Sequence, residues 1–287
     1  MFKKLGEFFK LVRIQHAIML AIAVFVGEVI ALGGMPPLGM IFLFAFLVPM
    51  LSEMGSFALN DYVDVETDRL NKKQGRPLVD GTLSTDFALK FSAGAFILST
   101  MIALAINWMA LIVAVFFNIF AVLYNIKLKD LPLIGNMYIA ATMAIPFVFG
   151  AVVFGLEPTM TIWVIAAMGF VAGLAREIVK TVEDMEGDAE ARKSKTLPMV
   201  VGKMNALAMA SSLFFAFVPL SLVPFVGGLT LSLFSGILLG LADFGLLWIG
   251  IYIIISKDMK APSNAANYSL LWIFLGLMAL LLASIGY

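Results

Sequence analysis

Four side chains that bind hard cations, Asn60, Asp61, Asp64 and Asp68, open the stretch NDYVDVETDRLNK directly after a long apolar run. On a helix, Asn60, Asp64 and Asp68 recur every fourth residue and share one face. Arg176, Lys180, Asp184 and Asp188 repeat that spacing in REIVKTVEDMEGDAEARKSKTLP. Like charges four residues apart destabilise an isolated helix by a few tenths of a kcal/mol each, so a cation should offset them. The chain has no cysteine and one histidine, His16, so the donors are oxygens, which select Mg2+ over zinc or copper. Mg2+ usually keeps several waters and shares its remaining positions with substrate phosphates, and Arg176 and Lys180 could hold the phosphate oxygens the metal leaves. The pattern reads as a diphosphate site. A solvated loop of mixed charge, the plainer reading, does not explain why the spacing occurs twice, each time at the end of an apolar run.

The elements that carry these residues follow from composition. Of 287 residues, 62% are hydrophobic and 13% charged, against about a quarter charged in soluble domains, and mean hydropathy is +1.01. An integral membrane protein is implied and a nucleic-acid binder excluded. Without cysteine there are no disulfides or thiolate metal sites, and zero net charge favours no particular partner. The basic start MFKKLGEFFKLVR runs into an apolar segment with no small-residue cleavage site, so the first span is expected to be its own insertion signal.

Spans need roughly 20 apolar residues each. Nine segments qualify: Ala17–Leu32, Leu38–Asn60, Phe87–Ile106, Trp108–Asn125, Ile134–Gly155, Met160–Lys180, Asn205–Pro224, Leu229–Ser256 and Tyr268–Tyr287. All 19 Lys and Arg then fall in alternate connections or in the span ends that adjoin them, as the excess of basic residues on the cytoplasmic side requires. The expected product is a multi-pass cell-membrane protein with its N-terminus cytoplasmic and its C-terminus extracytoplasmic. Two cytoplasmic segments, Asn60–Ser84 and Arg176–Pro198, are much longer than the rest and carry the acidic patterns.

Three acids fall inside the spans: Glu28, Glu53 and Asp243. An ionised acid at the centre of an isolated span costs roughly 2.5–3.5 kcal/mol, and such residues often mark ion paths, which keeps a cation-coupled transporter as an alternative class. Against it, the dense acid clusters lie at the membrane surface, and no inverted repeat is visible. Glu53 precedes Asn60 by two turns on the same face; Glu28 and His16 are expected at the membrane interface; Asp243 has no assignable partner.

NDYVDVETDRLNK resembles the first Asp-rich signature of the UbiA superfamily of intramembrane prenyltransferases, and EDMEGD resembles the second. GRP at 75–77, LYNIKLKDLPLIGN at 123–136 and KSKTLP at 193–198 are similar to further family blocks, so the resemblance covers the whole chain as one domain, 1–287. It implies an all-α polytopic membrane fold, nine transmembrane helices around a central cavity with cytoplasmic cap loops. It implies Mg2+ held by Asn60, Asp61, Asp64, Asp68, Asp184 and Asp188, bridging the diphosphate of an isoprenyl donor. Asp64, Asp184, Asp188 and Lys180 would carry catalysis; Asn60, Arg76, Tyr124, Lys127, Lys129 and Arg176 would bind the donor. The sequence departs from the pattern at Thr181, where the second signature commonly has Asp, and at Thr82, where a basic residue is frequent.

LVRIQHAIMLAIAVFVGEVIA and EGDAEARKSKTLP look most like the archaeal branch that forms the second ether bond of membrane lipids, moving geranylgeranyl to a glyceryl phosphate lipid. Arg192, Lys193 and Lys195 are available for a phosphate on such a lipid-like acceptor. The alternative within the family is prenylation of an aromatic ring in quinone or related biosynthesis. Membrane lipid surrounds the protein, and no obligate protein partner is evident from the sequence.

Overall fold

The computed structural model describes residues 2–70, 75–185, 195–256, 258 and 260–286. Those residues are helical, with no strand, and nine of their helices are long and apolar enough to cross a membrane. In chain order the elements are α1 (Phe2–Leu11), α2 (Ile14–Leu32), α3 (Met40–Leu70), α4 (Thr85–Ile106), α5 (Trp108–Ile126), a 3₁₀ turn (Leu128–Asp130), α6 (Ile134–Val152), α7 (Met160–Glu183), α8 (Leu197–Val201), α9 (Lys203–Val226), α10 (Leu233–Ile255) and α11 (Ala261–Ser284). The nine spans, α2 to α7 and α9 to α11, correspond one for one to the nine apolar segments. Boundaries differ most at α3, which runs ten residues past the expected Asn60, and at α11, which begins seven residues before the expected Tyr268 because Pro262 starts the helix instead of breaking it. The short amphipathic helix α1 was not expected.

The chain forms two compact units. The first, built from the described residues of Met1–Ala21 and Pro37–Leu128, contains α1, α3, α4 and α5. Its helices meet through small residues, as helices do where burying apolar surface against lipid gains little. Ala88, Ser92, Ala95, Ser99 and Ala103 form the buried face of α4, and Ala110, Ala114, Asn118, Ala121 and Asn125 that of α5. Asn107 makes the turn between them: its backbone N–H caps the end of α4, and its side chain accepts from Ala110 N at 2.8 Å to start α5. Leu11 at the end of α1 packs with Ala58, Leu78 and Ala88, and Phe8 sets its ring edge-on to Phe91 at 5.1 Å.

The second unit, Ile22–Pro36 with Lys129–Glu186 and Ser194–Tyr287, contains α6 to α11 and most of α2. Gly27 on α2 faces the Phe147 backbone of α6, and Gly150 on α6 faces the backbone of Val24 and Glu28. A Cβ at either glycine would overlap main chain, so only glycine permits this crossing. The close approach also encloses Glu28. Its side chain, expected at the membrane interface, is fully buried, and neither carboxylate oxygen has a hydrogen-bond partner among the described residues. Asp243 on α10 has a partner that sequence could not assign: its Oδ2 accepts from Ser221 Oγ of α9 at 2.9 Å.

Helix α3 positions the first acidic motif. Its 31 residues reach about 46 Å at 1.5 Å per residue, well beyond a hydrocarbon core roughly 30 Å thick. The surplus carries Asn60 to Asp68 past the apolar layer on an unbroken helix. α7 has 24 residues and stops at Glu183, and Asp184 is its C-cap. The helical continuation expected through Asp184 therefore does not occur there. Glu183 and Asp184 would add negative charge at the helix terminus that already carries a partial negative charge, which favours ending the helix.

Candidate active site

In the first unit the three aspartates of α3 are buried: Asp61 is 3%, Asp64 8% and Asp68 4% exposed. Burying unpaired carboxylates would be costly, and arginines answer Asp61 and Asp68. Asp61 Oδ1 accepts from Arg76 Nη1 at 2.6 Å and from Arg13 Nη2 at 3.2 Å, and Arg76 Nε lies 3.7 Å from Asp68 Oδ2. The sequence placed Asp61 among metal ligands and Arg76 among diphosphate contacts; here they hold each other. Asn60 Nδ2 donates to Asp64 Oδ2 at 3.1 Å and to Asn125 Oδ1 at 3.0 Å.

Arg13 was not among the expected site residues. It connects α1 to α2 with φ of 45°, a left-handed backbone that aims the side chain back at α3. Its guanidinium lies 4.3 Å from the centre of the Phe57 ring, and His16 meets the same ring edge-on at 5.4 Å. Burial pulls the Arg13 guanidinium below its ordinary value; Asp61 opposes the fall, Arg76 adds to it, and Glu53 and Tyr124 raise it again. An arginine side chain stays charged through such changes. Lys127, the C-cap of α5, is exposed, and Lys129 follows in the 3₁₀ turn.

The second unit supplies a different cluster. Glu177 is 8% exposed and lies 3.5 Å from Lys180 Nζ and 3.8 Å from Arg176 Nη1. Both cations that the sequence assigned to the donor therefore flank an acid it did not single out. Arg176 Nε is buried without a partner among the described residues. Thr181, standing where the family signature has Asp, has its hydroxyl in use: it donates to the Glu177 carbonyl at 2.8 Å and accepts from Asn136 Nδ2 at 2.5 Å. Asn136 also donates to the Glu177 carbonyl at 3.2 Å. Thr82, the other departure, donates to the Pro77 carbonyl at 3.1 Å and so serves the turn after Arg76. Asp184 is exposed. Asp188, Arg192 and Lys193 lie outside the described residues; Lys195 is tied by its backbone N–H to the Asp130 carbonyl at 3.3 Å.

Arg13, Glu177, Asn125 and Asn136 are the polar residues that sequence reasoning missed. Arg13 and Asp61 are 48 positions apart, and Asn60 and Asn125 are 65 apart, so local spacing carries no trace of either contact. Glu177 did have a signal, being an acid directly between the two singled-out cations. Among the described residues no three His, Cys, Asp or Glu side chains converge on one point as a self-sufficient metal site. The donors of the first motif are nonetheless all hard oxygens. They fit a hard divalent cation that takes the rest of its ligands from water and substrate.

The UbiA prenyltransferase family model matches residues 20–276. Digeranylgeranylglyceryl phosphate synthase of Thermococcus gammatolerans is 32% identical over 286 residues, covering 98% of this chain and 99% of that one. A solved structure described as digeranylgeranylglyceryl phosphate synthase in membranes superposes with a TM-score of 0.76 at 28% identity, over 99% of this chain and 100% of that one. A UbiA homologue from Archaeoglobus fulgidus, solved with DMAPP and Mg2+, shares the fold with a TM-score of 0.64 at 20% identity, over 96% of this chain and 99% of that one. With nine spans among the described residues and full-length similarity to these enzymes, the chain is a multi-pass membrane protein and belongs to the UbiA prenyltransferase family.

Proposed function

We propose that this prenyltransferase moves a geranylgeranyl group from its diphosphate to geranylgeranylglyceryl phosphate, forming the second ether bond of an archaeal membrane lipid. The observation that carries the chemistry is the alignment of Asn60, Asp64 and Asp68 on the part of α3 that outruns the bilayer, with Arg13 and Arg76 beside it. The choice of acceptor is supported by the full-length similarity to the Thermococcus enzyme.

Asn60, Asp64, Asp68, Asp184 and Asp188 would hold Mg2+, with Asp61 available if its arginines move to the diphosphate. Bound there, the metal supplies Lewis-acid neutralisation of the departing diphosphate. Arg76, Arg176 and Lys180, with Lys127 and Lys129, bind and orient the phosphate oxygens, and their fixed charges stabilise the charge that builds as the carbon–oxygen bond breaks. The electron pair leaves with diphosphate and an allylic cation remains. The acceptor hydroxyl oxygen bonds to that carbon and its proton is released. Tyr124 lines the donor's position. Aromatic faces in a dry central cavity, formed by the chain as a single domain, would shield the cation from water.

The protein would have its N-terminus in the cytoplasm, because all 19 basic residues fall in alternate connections or the span ends beside them. A reporter fused after Tyr287 should accordingly read as extracytoplasmic, and a cytoplasmic signal would overturn that orientation. The function itself is tested with purified protein, geranylgeranyl diphosphate and three acceptors: geranylgeranylglyceryl phosphate, the same lipid without phosphate, and an aromatic hydroxyacid. A digeranylgeranyl ether phosphate by mass is expected. A prenylated ring in its place, or no product from the phospholipid, would refute the assignment.

A further inference from the structure

The hydrogen bonds around Asn60 have a fixed direction. Asn125 on α5 is fully buried, and its Nδ2 donates to the Ala121 carbonyl at 2.9 Å. A backbone carbonyl can only accept, so Asn125 must turn its NH2 toward Ala121 and its Oδ1 toward Asn60. Asn60 must then present NH2 to Asn125, at 3.0 Å, and the same NH2 reaches Asp64 Oδ2 at 3.1 Å. Both amide protons are used. What Asn60 has left to offer a cation is its carbonyl oxygen, a hard neutral donor suited to Mg2+. If the amide turned over, oxygen would face both Asn125 Oδ1 and the Asp64 carboxylate.

We propose that Asn125 is a positioning residue for the metal: anchored on the Ala121 carbonyl, it fixes the orientation of the Asn60 amide so that oxygen, and not NH2, is available to the cation. The assignment rests on the metal-diphosphate reading of the first motif. Asn125 touches neither cation nor donor in this scheme and acts only through Asn60. Residues that orient metal ligands in this way typically change metal affinity by about 10–100-fold when removed.

The test is metal binding without turnover. Mn2+ is titrated into the purified protein with inorganic pyrophosphate present, and free Mn2+ is followed by its EPR signal. The proteins are the natural chain, Asn125→Leu, which keeps the volume and removes the acceptor, Asn60→Ala, and the double variant. Asn125→Leu should weaken Mn2+ binding about 10–100-fold. The double variant should bind no more weakly than Asn60→Ala alone, because the relay then has nothing to orient. Unchanged affinity in Asn125→Leu, or a further full loss in the double variant, overturns the proposal. If Asn125→Leu does not elute as a single chromatographic peak, Asn125→Ala takes its place with the same expectations. Failure of the natural chain to bind Mn2+ would instead remove the metal reading on which the relay stands.

Discussion

The two acidic regions look alike in sequence and are built differently. Around Asp61, Asp64 and Asp68 the carboxylates are buried on an uninterrupted helix, Asp61 and Asp68 answered by Arg13 and Arg76 and Asp64 by the Asn60 amide. Around Asp184 the helix has ended, the carboxylate is exposed, and the buried acid of the region is Glu177, one turn from Lys180. The first region pairs Asp61 and Asp68 with the protein's own cations. The second keeps its organised charges inside α7 and offers its motif aspartate beyond the helix end. Similar charge patterns thus acquire different structural weight, depending on whether the helix carrying them continues.

Removing metal should give the largest effect. EDTA is expected to abolish prenyl transfer and diphosphate release, with Mg2+ restoring both, while the melting temperature stays close to that of untreated protein because Arg13 and Arg76 already pair the first region. Metal-independent turnover would sink the metal reading. Unfolding on chelation would instead show that the arginines do not suffice.

Next come Asp64→Asn and Asp184→Asn, each expected to lower kcat by ~10²–10³, the size of one lost electrostatic contact in a water-excluded site. Near-normal turnover in either at limiting Mg2+ would remove that region from the chemistry. Stability should then separate the regions where activity does not. Asp61→Ala leaves two partly buried arginines without their shared carboxylate and should cost about 3 kcal/mol in denaturant or thermal unfolding, whereas Asp184→Ala, at an exposed cap, should stay within about ±0.5 kcal/mol. Equal losses would erase the distinction.

The smallest effect belongs to Glu66→Gln. Glu66 lies between Asp64 and Asp68 in sequence but faces outward, with its side chain 74% exposed and paired to Arg69 at 2.6 Å. A surface pair of this kind contributes roughly 0–1 kcal/mol, so kcat and stability should barely move. A large loss of activity would show that the active face of α3 is wider than its every-fourth-residue stripe.

The nine spans were legible because the bilayer imposes a length and an apolarity that a chain must declare locally. The face shared by Asn60, Asp64 and Asp68 was legible for the same reason: helical spacing is a property of adjacent residues. The end of α7 at Glu183 was less so, since the four-residue rhythm runs on through Asp184 while the helix does not.

Sequence by itself therefore determined the membrane class, the family and the nine spans seen among the described residues, all of which depend on composition or short-range order. Tertiary structure decided the partners. It brought Arg13 to Asp61 across 48 residues and Asn125 to Asn60 across 65, set Asn136 against Thr181, enclosed Glu28 where Gly27 and Gly150 let two backbones meet, and gave Asp243 its Ser221. Each of these contacts exists because buried polar groups must find one another once helices pack, and no local pattern records which helix will be the neighbour.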